Sequence, residues 1–516
     1  MNLTSIKFRF LFSVLANALR ATITFSSGIL VARGLSPSGY GDITFMLGSF
    51  VAIRALLDMG TSSAFYTFLS KSPRGYKFYS FYFLWLLLQF IITIVLVSLL
   101  IPNGIYEKIW LGHHRETVAL AFVASFMQQQ VWQMVGQIGE SSRKTVQVQL
   151  LNIAVAITYL AIICWLSIYG HITVEKILWI TVFLYGIATI ASYRFLVVHN
   201  SQLIDENLTV KQLLIEYLDY CKPMLGLAFA GFLYTFIDKW MLQKFGGSVQ
   251  QGYFQIASQF AQVSLLATVS ILNIFWKEIA EATAKKDNDR VATLYLKINR
   301  GLVMLSATIA GLLLPWSKQI VTILLGQNYT DAWVVVAIMF LYPIHQSMGQ
   351  IGGTMFMAGG DTRKYMILSI CIMLFTLPLS YFAMAPTDGM LIPGLGLGAI
   401  GMACYMVISS VFAVNIQAWV IARHHGWKFD WLYQVTGIPL MLLLGYIVKV
   451  IAGAFWNLEG VAIYGLIIPI LFSCILYGIL VALVLWVFPW LVGIDKMEMQ
   501  VLLRKFLIGR RRNEIY

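Results

Sequence analysis

The sequence predicts an all-α, multi-pass membrane protein with both ends in the cytoplasm. Three observations carry that prediction. Of 516 residues, 59% are hydrophobic and only 11% charged, with a mean hydropathy of +0.77. Soluble domains carry about 45–50% apolar and about 25% charged residues. A soluble enzyme, a disordered scaffold and a nucleic-acid partner are therefore excluded, despite a net charge of +13. Apolar runs of membrane-crossing length recur along the whole chain, and Lys and Arg are dense in every second loop.

A hydrocarbon core about 30 Å thick asks for about 20 apolar residues per helix. Such segments fall at 8–32, 43–69, 80–101, 118–138, 148–169 and 177–198 in the first part of the chain. A second series follows at 223–245, 252–276, 294–316, 333–357, 365–385 and 395–422, and two more at 432–455 and 461–488. That makes about fourteen spans. Lys7 and Arg9 precede the first run as in a signal peptide, but Arg20 interrupts it and no small-residue cleavage site follows before Arg33. The span is expected to be retained.

With the N-terminus inside, the inner segments hold about 26 basic residues, the outer loops about 6 and the spans about 4, and that asymmetry sets the sidedness. The inner excess sits in stretches such as 277–290 and in the tail with Arg510, Arg511 and Arg512. The longest connection, 198–222, has polar and amphipathic stretches that suit a short surface helix. No loop is long enough for an extramembrane catalytic domain.

The chain repeats itself. Gly39-Tyr40 follows the first span and Gly252-Tyr253 the seventh, 213 positions apart. Leu111-Gly112 and Leu325-Gly326 leave the third and ninth spans at an offset of 214. Ser142-Arg143-Lys144 and Thr362-Arg363-Lys364 precede the fifth and eleventh at 220. An even number of spans per unit gives both copies the same membrane orientation, with a substrate path between them. The expected organisation is a six-helix lobe at 1–200, a cytoplasmic linker at 201–222, a parallel six-helix lobe at 223–423, and helices 13 and 14 with a basic tail at 424–516.

A charge at mid-bilayer costs about 2.5–3.5 kcal/mol on insertion scales, so each one asks for a reason. Asn17, Arg20, Thr24 and Ser27 make one polar stripe on the first span. Arg54 and Asp58 stand one turn apart on the second, as an ion pair or as cavity charges. Asp238 and Lys239 lie late in the seventh. Gln130, Gln133 and Gln137 share a face of the fourth span, and Gln255, Gln259 and Gln262 a face of the eighth. Amides in hydrocarbon find either neighbouring helices or a hydrated cavity. Arg20, without a carboxylate on its own helix, suits phosphate through its planar fork of donors. This set predicts an amphipathic substrate with an anionic head, its lipid tail left in the bilayer.

Other motifs carry nothing. Gly396-Leu397-Gly398-Ala399-Ile400-Gly401 fits G-x-G-x-x-G but has no strand before it. His113-His114 and His424-His425 lie at span edges without further ligands, and the five cysteines are scattered, so no metal site is expected. There is no Walker A sequence and no nucleophile–base pattern, so no enzyme and no ATPase is expected.

The run Gly28-Ile29-Leu30-Val31-Ala32-Arg33-Gly34-Leu35-Ser36-Pro37-Ser38-Gly39-Tyr40-Gly41 resembles the opening of bacterial polysaccharide flippases. Asp58-Met59-Gly60, Ile237-Asp238-Lys239-Trp240-Met241-Leu242, Gly326 with Tyr329, Gly360-Asp361-Thr362-Arg363-Lys364 and Gly398-Ala399-Ile400-Gly401 continue the likeness. These flippases belong to the multidrug, oligosaccharidyl-lipid and polysaccharide exporter superfamily. The strongly basic opening span of related lipid II flippases is not evident, which counts against that assignment.

The resemblance implies a V-shaped pair of lobes working by alternating access in the bacterial cytoplasmic membrane. It implies an undecaprenyl-diphosphate-linked oligosaccharide (an O-antigen, capsule or exopolysaccharide unit) as cargo. Na+ or H+ countertransport or membrane potential would drive it. Membrane lipid and the pathway's polymerase or glycosyltransferases are the implied partners. Arg20, Arg54 and Lys239 match the basic cavity positions thought to hold the diphosphate. Asn17, Gln130, Gln255 and Gln259 are the further substrate-facing candidates, and Asp58 and Asp238 the coupling or charge-pair candidates. Two alternatives stay open: a cation-coupled multidrug or metabolite antiporter of the same fold, and a membrane polymerase or ligase.

Overall fold

A computed structural model describes residues 6–72, 74–170, 172–196, 209–458 and 463–501. Every regular element among them is helical, as a lipid-exposed backbone without water partners requires. In chain order the first series is α1 (Ile6–Asp58), α2 (Thr61–Lys71), α3 (Tyr76–Val95), α4 (Asn103–Trp110), α5 (Arg115–Phe126), α6 (Trp132–Ser141), α7 (Thr145–Ile168), α8 (Val174–Leu196) and α9 (Val210–Cys221). The second is α10 (Leu225–Ala284), α11 (Asn288–Leu313), α12 (Ser317–Leu325), α13 (Trp333–Met339), α14 (Tyr342–Ala358), α15 (Thr362–Met384), α16 (Gly398–His425), α17 (Leu432–Phe455) and α18 (Ile463–Val487). The basic tail with Arg510, Arg511 and Arg512 lies outside the described residues.

Nine helices among the described residues are long and apolar enough to cross a membrane, or ten if α13 and α14, bent by 42° after a 3-10 turn, form one span. They do not map one-to-one onto the predicted spans. The first of the nine takes in both 8–32 and most of 43–69, because α1 runs continuously through a kink at Ser36. α10 folds 223–245 and 252–276 together in the same way at Gly247.

The two kinks have one geometry. Ser36 sits at φ 62°, ψ 169° and Gly247 at φ 76°, ψ 178°. This is a region that L side chains rarely adopt, and Ser36 holds it just before Pro37. The chain also turns through positive φ at Gly112 after α4 and at Gly326 after α12, the places where the sequence repeats.

The chain forms two compact units, one of residues 1–255 with 373–402, the other of 256–372 with 403–516. In the first, α2, α3, α6 and α9 share a largely aromatic core of Phe65, Phe68, Phe78, Tyr82 and Tyr217 with Ile138 and Leu213, and Phe65 and Tyr82 stack at 4.0 Å. The amphipathic stretch of the longest connection forms α9, opened by a capping box of Thr209 and Gln212. Arg74 ties it down through Glu216 at 2.7 Å, its guanidinium lying over Phe68 and Phe78.

In the second unit α11, α14, α16, α17 and α18 surround Met304, Met348, Tyr433, Met441 and Tyr477. Gly311 and Gly445 bring α11 and α17 so close that a methyl group on Gly445 would stand 1.8 Å from the Gly311 carbonyl oxygen. Small residues allow such approach in lipid, where association rests on packing. Asn415 and Gln434 exchange amide hydrogen bonds of 3.2 and 3.0 Å between α16 and α17. Large apolar side chains such as Phe83, Leu99, Ile187 and Phe375 stay exposed, as a lipid-facing surface requires.

Candidate functional site

The first unit contains a polar pocket built on a defect in a helix. Between α5 and α6 the predicted fourth span passes through a π-helical turn, Met127–Val131, which carries Gln128, Gln129 and Gln130. The extra residue rotates the glutamine ladder relative to an unbroken α-helix. As a result Gln129 and Gln133 hydrogen-bond to Arg54, whereas Gln130 bonds to Gln89.

Arg54 donates to Gln129 Oε1 at 3.2 Å and, by a short bond, to Gln133 Oε1. Gln130 is buried and donates to Gln89 Oε1 at 3.4 Å, and Gln89 donates to the Leu57 carbonyl at 3.1 Å. Gln137 donates to the Ser62 carbonyl at 3.2 Å. Gln128 reaches Tyr185 on α8 at 3.1 Å. A small cavity lined by Phe50, Ile53, Arg54, Phe122, Ser125 and Gln130 adjoins the guanidinium.

Arg54 and Asp58 do not pair. Past Asp58 the backbone breaks at Met59 and Gly60, both at positive φ, before α2 begins. The Asp58 carboxylate turns to that new helix start, accepting from Thr61 Oγ1 at 3.1 Å, Ser62 N at 2.9 Å and Ser62 Oγ at 2.8 Å. It thereby satisfies one of the backbone donors, Ser62 N, that a helix start leaves orphaned. Arg54 is left with neutral amide partners and, among the described residues, no carboxylate within 4 Å.

Arg20 is exposed on α1 and donates to Asn17 Oδ1 at 3.3 Å, and it too makes no ion pair among the described residues. Lys239 on α10 lies against α1 where Gly48 makes room: a methyl group there would meet Nζ at 2.4 Å. Asp238 is buried beside it in sequence. Gln255 and Gln259 are both half-buried on α10, the first in one compact unit and the second in the other. Lys449, an apolar-span lysine on α17, donates to the Pro315 carbonyl just past α11 at 2.5 Å. The structure thus brings Arg54 together with Gln133 but not with Asp58. Sequence reasoning missed Gln129 and Gln89. The run Gln128-Gln129-Gln130 in an apolar span was the available signal.

A second polar cluster lies beside the kinks inside α1 and α10, in the same unit. Asp42 Oδ1 accepts a short bond from Ser248 Oγ, a bond from Gln243 Nε2 at 3.4 Å, and contacts His113 Nε2 at 3.0 Å. Trp240 Nε1 donates to the Lys108 carbonyl at 2.9 Å, and Ala399 N to Gln250 Oε1 at 3.0 Å. Among the described residues no three His, Cys, Asp or Glu side chains converge on one point.

No protein-family model matches the chain, and no curated protein matches its sequence. Solved structures do match in fold. A lipid II flippase MurJ in an inward closed conformation aligns with a TM-score of 0.66 at 15% identity, over 92% of this chain and 98% of that one. An inward-facing multidrug resistance MATE family transporter of the MOP superfamily aligns at 0.60 and 14% identity, over 78% and 95%. A MOP superfamily transporter from Pyrococcus furiosus aligns at 0.55 and 14% identity, over 81% and 96%. The chain therefore has the all-helical fold of MOP superfamily transporters.

Proposed function

We propose that this protein is a flippase that carries an undecaprenyl-diphosphate-linked oligosaccharide across the bacterial cytoplasmic membrane by alternating access. In this reading both termini are cytoplasmic, and lobes 1–200 and 223–423 alternate about the path between them. The observation that carries it is the charge state of the pocket on α1. Arg54 is half-buried in an apolar span, and its donors meet only amide oxygens. A guanidinium there whose donors contact no carboxylate favours an anionic group, and its fork geometry suits phosphate oxygens. Arg20, Asn17 and Lys239 would extend the same basic lining, with Gln255 and Gln259 as neutral contacts to the head group.

A cation-coupled drug antiporter needs a free carboxylate in the pocket, and Asp58, one of its two candidates, is committed to three donors at the start of α2. The test is genetic. Cells from which the gene is removed should accumulate lipid-linked repeat units on the inner leaflet and lose surface polymer. Normal surface polymer without the gene would reject the flippase reading, and loss of drug tolerance instead would favour the antiporter.

A further inference from the structure

His113, on the turn between α4 and α5, has an acceptor at each ring nitrogen. Nδ1 lies 2.5 Å from the Trp110 carbonyl oxygen, and Nε2 lies 3.0 Å from Asp42 Oδ1. A neutral imidazole carries one N–H and would present a lone pair to one of these oxygens. Only the imidazolium, with both nitrogens protonated, satisfies both. The Phe45 ring covers the imidazole at a centroid distance of 5.7 Å.

Asp42 is also the acceptor that fastens α1 to the turn of α10, through Ser248 and Gln243. Asp42 is the one charged group within ion-pair distance of His113 among the described residues. Charged groups on the packed elements face elsewhere. Arg115 donates to the Val97, Ser98 and Ile101 carbonyls and to Asn103, Lys244 lies over Trp240 and Phe245, and Lys239 lies against Gly48. Glu107, Lys108 and His114 are exposed, and Asp238 is buried further along α10.

We infer that His113 and Asp42 form a proton-binding site whose occupancy fastens the kink of α1 to the kink of α10. With the proton bound, a cation holds the Asp42 carboxylate in place for Ser248 and Gln243. With the proton lost, a lone pair faces an acceptor at one ring nitrogen, and the clasp weakens. Burial disfavours the charged ring, yet the Asp42 carboxylate and the Trp110 carbonyl outweigh it and raise the His113 pKa above the ordinary histidine value. A raised pKa in the fastened state means that its extra stability is present at low pH and lost as pH rises through that value. On the proposed topology, with both termini in the cytoplasm, these kinks face outward, so an acidic exterior favours the fastened state. The inference is independent of the substrate carried.

The test places spin labels at Ser38 and Val249, two exposed positions flanking the kinks, with the five native cysteines replaced. Distances are read in proteoliposomes at about pH 5.5 and about pH 8.5, either side of ordinary histidine titration. The expected result is one short, narrow distance at the lower pH and a second, longer population at the higher. His113→Gln should show the same distribution at both. A native distribution indifferent to pH, or a pH response that survives His113→Gln, would overturn the inference. A second measurement needs no variant: 15N spectra of the histidines at about pH 7 should show one imidazolium protonated at both nitrogens, and a neutral His113 there would overturn it as well.

Discussion

Gly41 and Gly252 meet each other's segments reciprocally, as positions related by a twofold axis do. A methyl group built on Gly41 would stand 1.8 Å from the Ser248 carbonyl oxygen, and one on Gly252 would stand 2.1 Å from the Pro37 carbonyl oxygen. Both contacts are with backbone, which cannot swing aside. The pairs share one offset: Ser36 to Gly247, Pro37 to Ser248 and Gly41 to Gly252 are each 211 positions apart.

Gly41→Ala and Gly252→Ala should each destabilise the protein despite the better helix propensity of alanine. Overpacking of this kind costs about 1–3 kcal/mol. Gly226→Ala and Gly231→Ala, on α10 with nothing within 4 Å of the new methyl, serve as controls and should leave thermal stability unchanged or slightly raised. Thermal unfolding in detergent checks all four.

Asp58 accepts the Ser62 backbone N–H at the start of α2, which makes the outcome of substitution specific. Asp58→Asn keeps an acceptor for Thr61 and Ser62 and should leave transport near the native rate. Asp58→Ala removes it and should lower stability by about 0.5–2 kcal/mol. A transport loss in Asp58→Asn with unchanged stability would show that the carboxylate's charge, and so a coupling role, is what matters.

The raised His113 pKa gives stability a direction with pH. Its contribution is complete below the unfolded histidine value of about 6.5 and disappears as pH climbs through the folded value. Melting temperature should therefore fall across that interval in the native protein, while the part of the slope due to His113 should vanish in His113→Gln.

Lys449 is a charge in an apolar span with a structural partner. It donates to the Pro315 carbonyl and to Gln319 Oε1 at 3.4 Å, and lies over the Trp316 ring at 5.6 Å, beside the end of α11. Cations near a helix C-terminus satisfy its last carbonyls. Lys449→Met should lower stability by about 1–3 kcal/mol, the loss expected for a buried acceptor left without its donor. Flipping per folded molecule should not change.

The membrane class of the chain was legible because each crossing helix must meet the bilayer's apolar requirement by itself, so composition and run length carry the signal locally. The kinks left traces at Ser36-Pro37 and Gly246-Gly247. The sequence pairs Tyr40 with Tyr253 at an offset of 213, whereas the matching backbone approaches at Gly41 and Gly252 lie 211 apart. A face count from Gln130 assumes an unbroken α-helix, and the π turn moves Gln129 into the place that Arg54 meets. The spacing of Arg54 and Asp58 allows an ion pair or two cavity charges, and the break at Met59-Gly60 gives the carboxylate nearer donors. The Asp42–Ser248 bond joins residues 206 positions apart, a distance across which no local pattern reports.

In the proposed function Arg54 holds the anionic head of a lipid-linked glycan. Its most direct test is flipping of an undecaprenyl-diphosphate-linked oligosaccharide by purified protein in liposomes, native against Arg54→Gln and Arg54→Lys. The expected result is native flipping, a fall of about tenfold or more in Arg54→Gln from the loss of charge-assisted bonds, and partial activity in Arg54→Lys, which keeps the charge without the fork. Equal flipping by native protein and a well-folded Arg54→Gln variant would contradict it.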